Sequence, residues 1–112
     1  MNTIDKYLEN IKNTIAVENN SQRDLIIDLI KLFEYLCSSE GRTDENCKKV
    51  DHFFADDDDL DYNRIDEQII NVISNFNALH DTISAPETAH NSKSTPEQIL
   101  EKLIELKANY LT

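Results

Sequence analysis

The sequence predicts an all-α fold, a compact bundle of four to five helices in one domain spanning residues 1–112, and three observations carry that prediction. Apolar residues recur at the helical period along most of the chain. Turn formers are scarce: Gly41, Pro86 and Pro96 are the only glycine and prolines, whereas an all-β domain needs many for its hairpins. Thr95-Pro96-Glu97-Gln98 also places an N-cap residue, a first-turn proline and a glutamine three residues after the cap in register, a helix start written in four residues. At 112 residues and 39% hydrophobic content the chain can bury a single core.

Each element follows from its own pattern. Thr3 can cap a first helix with Ile4, Tyr7, Leu8, Ile11 and Ile15 on one stripe, ended by the polar Glu18-Asn19-Asn20. Ser21 followed by Asp24 resembles a capping box and opens a second helix. There Leu25, Ile26, Leu29, Ile30, Leu32, Phe33, Leu36 and Cys37 cover most of the circumference. Only Asp24, Asp28, Lys31 and Tyr35 form a polar line. A helix that apolar belongs at the centre of a bundle. Gly41 suits a left-handed cap that stops it. Thr43 is placed to start a shorter third helix with Cys47, Val50, Phe53 and Phe54 inward. A long fourth helix is expected to carry Ile65, Ile69, Val72, Ile73, Phe76, Leu79, His80 and Ile83. Residues 84–95 read as a loop, and the last helix presents Ile99, Leu100, Leu103, Leu106 and Tyr110.

Charge narrows the function classes. Twenty-two acidic residues against eleven basic ones give a net charge of −11. Such a chain repels phosphates, so neither nucleic acid nor an anionic membrane is its direct partner, and a basic protein is the natural complement. No apolar run approaches the ~18 residues of a membrane-spanning helix. The start MNTIDKYLEN lacks the pattern of a secretory leader, and Cys37 and Cys47 form no metal-binding pair. A cytoplasmic protein with reduced thiols is the expectation, although a bridge between the two cysteines is sterically conceivable.

The densest charge lies in FADDDDLDYNRIDEQ, which holds Asp56, Asp57, Asp58, Asp59, Asp61 and Asp66. Read as a calcium loop with Asp57, Asp59 and Asp61 as its first ligands, it puts Tyr62 where glycine is required. Arg64 then takes the apolar position, and Gln68 the place of the bidentate glutamate. Three mismatches exclude that reading, and no metal or other cofactor is expected. Capping explains part of the run: Asp61 is the expected N-cap of the fourth helix, with Leu60 and Ile65 as a hydrophobic staple. One or two carboxylates suffice for that, and adjacent ones repel.

No enzyme emerges. His52, His80 and His90 share no spacing. His52 and Asp56 stand one helical turn apart without a second pair, and His80 falls on an apolar face. Glu97, Glu101 and Glu105 recur every turn, but no matching acidic pair stands elsewhere, so they read as a solvated face. Phosphate loops, GxSxG and HExxH motifs are absent from the sequence.

Residues 53–76, read as F-x2-D-x-D-x3-Y-x3-D ahead of an amphipathic helix, resemble the corresponding stretch of colicin D-type immunity proteins. Those are small, acidic, all-helical inhibitors of tRNA-cleaving toxins. The resemblance implies that carboxylates enter the toxin's tRNA-binding cleft, a role falling here on Asp56, Asp58, Tyr62 and Asp66. The physics of a charge run extends the expected partner-binding set to Asp56, Asp57, Asp58, Asp59, Asp61, Tyr62, Asp66 and Glu67. Two alternatives remain open: a nucleic-acid mimic acting on a CRISPR effector or other DNA-binding protein, and a non-inhibitory adaptor bundle whose charge only confers solubility.

Overall fold

The computed structural model describes residues 3–19, 21–46, 48–56, 62–76 and 94–110. They form an all-α bundle: α1 (Thr3–Ala16), α2 (Gln22–Cys37), a single-turn α3 (Ser39–Arg42), α4 (Lys48–Asp56), a 3-10 turn (Tyr62–Arg64), α5 (Glu67–Ile73) and α6 (Pro96–Tyr110). No strand occurs among the described residues. One isolated bridge joins Phe76 to Ser94.

The core is built around α2, as its composition demands. Leu25, Ile26, Leu29, Ile30, Leu32, Phe33 and Leu36 are all buried on it. It packs against both α1 and α6, receiving Ile4, Leu8, Ile11 and Ile15 from the first and Ile99 and Leu103 from the second. Its polar line is used as well: Thr14 donates to the Asp28 carboxylate at 2.6 Å, tying α1 to α2. Phe33 meets Phe76 edge-on at 5.0 Å between ring centres, so α2 also holds the chain that leaves α5.

The caps form where their residue types require. Ser21 accepts from the Asp24 backbone N–H. Gln98 N–H donates to Thr95 Oγ1 at 3.3 Å while Thr95 N–H donates to Gln98 Oε1 at 3.0 Å, a reciprocal capping box.

Several expectations are corrected. Thr3 already lies within α1. Thr43 ends a helix instead of starting one: it is the C-cap of α3, and its hydroxyl donates to the carbonyls of Ser39 and Glu40. Asp44 then turns the chain by accepting from Asn46 N–H at 2.8 Å, and α4 begins only at Lys48.

Gly41 is needed for room, not for a left-handed backbone. Ser38 ends α2 and its side chain caps α3 through Gly41 N–H. This folds α3 so tightly onto α2 that a Cβ at Gly41 would overlap the Tyr35 carbonyl.

The fourth predicted helix is much shorter than its apolar stripe. Its N-cap is Asp66, not Asp61, and it stops at Ile73. Ser74 and Asn75 side chains donate back to the Asn71 carbonyl, offering the backbone an alternative to further helix. Ile65 and Phe76 are still buried, as the stripe predicts, but from outside the helix. Leu60, Leu79, His80 and Ile83, with the predicted loop up to residue 93, lie outside the described residues.

Candidate partner-binding surface

The aspartate-rich stretch begins where α4 ends, at Asp56. Asp57, Asp58, Asp59 and Asp61 lie outside the described residues, and Tyr62 begins the 3-10 turn. Glu67 opens α5 and is exposed to solvent.

The strap that follows, residues 62–66, is fastened at several points. Gln22, in the first turn of α2, donates through its amide to the Arg64 carbonyl at 2.9 Å and accepts from Asp66 N–H at 2.8 Å. Arg64 reaches the other way: its guanidinium donates to the carbonyls of Ala16 and Val17, at 3.0 and 3.2 Å. A cation at the end of α1 suits that helix's dipole. Ile65 is buried between these two anchors.

Asp66 completes the fastening. It caps α5 by accepting from Gln68 N–H at 2.9 Å and accepts a second bond from the Tyr110 hydroxyl on α6. Those two bonds, the tyrosine's foremost, hold the Asp66 carboxyl below the usual carboxylate range. Burial and then the neighbouring carboxylate push Tyr110 up to about 12.

Of the eight residues expected to meet a partner, Asp66 is thus already engaged within the fold, and Glu67 stands free to meet solvent beside it. Gln22, Arg64 and Tyr110, which anchor the strap, carry no local motif. Gln22 and Tyr110 meet the strap, and Arg64 the end of α1, only through pairings 42 to 48 residues apart in the chain.

The described residues contain no group of three or more His, Cys, Asp or Glu side chains able to hold a metal ion. His52 is exposed on α4; His80 and His90 lie outside the described residues. Glu97, Glu101 and Glu105 are exposed along α6, the solvated face their spacing suggested, with Glu97 paired to Arg42. Cys37 is a free, half-buried thiol whose pKa is raised by burial, and Cys47 lies outside the described residues. Among the described residues no helix is long and apolar enough to cross a membrane.

No protein-family model, curated protein or solved structure matches this chain.

Proposed function

We propose that this chain is a non-catalytic, acidic inhibitory protein of the cytoplasm, similar in action to an immunity protein or antitoxin. Its run of aspartates occupies the basic nucleic-acid-binding cleft of a partner such as a nuclease toxin. One observation carries the reading most: Asp66 alone supplies the N-cap of α5. The structural explanation of the run is therefore met by its last member, and five aspartates within residues 56–61 remain in excess of it. Adjacent carboxylates repel, so a partner that neutralises them is the natural reason to keep them. Long-range attraction between opposite charges would also speed the encounter, as an inhibitor of a toxin needs.

The test is a capture experiment from the native host run with two baits. One is the wild-type chain; the other carries Asp56→Asn, Asp57→Asn, Asp58→Asn and Asp59→Asn. A basic nuclease held by the wild type and lost by the variant supports the proposal. A DNA-binding protein with no nuclease activity would shift the reading to a nucleic-acid mimic. Partners held equally by both baits would favour an adaptor bundle and refute the role given to the run.

A further inference from the structure

A second acidic feature lies at the opposite end of α2 from the strap and is shaped. Tyr7 on α1 and Tyr35 on α2 meet at 5.9 Å between ring centres with their planes tilted by 47°. Both rings line an open cleft of about 490 Å³, together with Lys31, Glu34, Ser38 and Glu40. Tyr35 is fixed in place by its hydroxyl, which donates to the Asp44 carboxylate at 2.8 Å.

The surroundings of this cleft are negative. The bond to Asp44 raises the Tyr35 pKa, and burial and the charges of Asp44 and Glu40 push it in the same direction. The 16-residue α2 ends at the cleft wall, with Ser38 as its C-cap. Among nearby cations, Lys49 is engaged by Asp5 at 3.3 Å and Arg42 by Glu97. Lys31 is the cation in the cleft lining.

We infer that this cleft takes a cationic side chain, arginine or lysine, presented by the basic partner. Two aromatic rings supply cation–π attraction, strongest for a guanidinium that can also stack. Glu34 and Glu40 supply charge-assisted acceptors at the rim. The inference deepens the proposed function by adding a second contact point, and it rests on that function only for who supplies the cation. An anionic ligand is disfavoured by the same field, and the exposed lining does not provide the enclosure of a small-molecule pocket.

The experiment needs no partner. The 15N-labelled chain is titrated at low salt with N-acetyl-arginine amide, with N-acetyl-alanine amide as the neutral control. Saturable shifts confined to the neighbourhood of Tyr7, Tyr35, Ser38 and Glu40 are expected with the first probe only. Glu34→Gln with Glu40→Gln, both at exposed positions, should weaken binding roughly two- to fivefold per carboxylate. Lys31→Gln should tighten it by a similar factor, because it removes a competing cation. The variant with residues 56–59 changed to asparagine should titrate like the wild type, so failure here is distinguishable from failure of the proposal about the aspartate run. Non-saturating shifts that follow carboxylates all over the surface would overturn the inference. So would an unaltered titration in the double glutamine variant, or weaker binding after Lys31→Gln.

Discussion

Asp44 and Asp66 lie in different parts of the bundle and are used in the same way. Each accepts a backbone N–H two residues further on, from Asn46 or Gln68, and each accepts a tyrosine hydroxyl from another helix, Tyr35 or Tyr110. Both carboxyls are held below the usual range: Asp44 by the Asn46 bond first, with Tyr35 adding to it, and Asp66 by Tyr110 first. The stretch 56–61 is the contrasting region, with five aspartates in six residues. The chain has four tyrosines, and two of them already serve Asp44 and Asp66. The comparison teaches that Asp44 and Asp66 are each satisfied by one tyrosine hydroxyl and one backbone N–H. A run of five exceeds what that arrangement can supply.

The largest expected effect tests the packed side of the comparison. Gly41→Ala drives a methyl group into the backbone of Tyr35 and Leu36. Because those atoms belong to the last turn of α2, they cannot move aside as a flexible side chain could. The substitution should cost about 3 kcal/mol, the upper end of the overpacking range. Chemical denaturation measures this, and a loss below about 0.5 kcal/mol would show that α3 is not pressed against α2 as described.

Tyr110→Phe comes next. It removes one hydroxyl and leaves the half-buried Asp66 carboxylate with one acceptor site unfilled. With partial solvent access the cost should be about 1 kcal/mol. Its pH signature is sharper than its size. Tyr110 has its pKa raised to about 12 in the folded chain, so its contribution is complete below the ordinary tyrosine value and is lost as pH rises towards 12. Asp66 is depressed, so its contribution is present above the ordinary carboxylate value and lost as pH falls through its lower folded one. Stability curves of wild type and variant should therefore run parallel near neutrality and converge at both extremes. Curves still separated by the full difference above pH 12 would contradict the pairing.

How much of this was legible in the sequence depended on range. The capping box of Thr95 and Gln98, the cap at Ser21 and the buried apolar face of α2 are local patterns, and they appear as the residues dictate. Ile65 and Phe76 are core residues, as their stripe indicates, yet the helix expected to carry both spans only Glu67–Ile73. A stripe of apolar residues records which side chains face inward, but not whether Ser74 and Asn75 turn the backbone away between them. Gly41 is expected to end α2, but Ser38 does so and Gly41 lies inside α3, because the close approach of α3 to α2 is a tertiary fact. The partners of Asp66 were invisible for the same cause: Gln22 and Tyr110 each stand 44 residues away from it.

The smallest stability effect belongs to the run itself. Replacing Asp56, Asp57, Asp58 and Asp59 by asparagine should leave the helical spectrum unchanged. The midpoint of thermal unfolding should stay constant or rise slightly, since mutual repulsion is relieved. A clear drop would mean that these aspartates have fold partners of the kind that Asp44 and Asp66 possess.

The most direct measurement is the affinity of that fourfold variant for the basic partner captured by the wild type, determined calorimetrically at two salt concentrations. Truncating charges that are paired across such an interface typically costs about 2–5 kcal/mol. Binding should therefore weaken by at least that margin, and the steep loss of wild-type affinity with added salt should flatten in the variant. Equal affinities with parallel salt dependence would contradict the account and return residues 56–61 to the role of solvated surface.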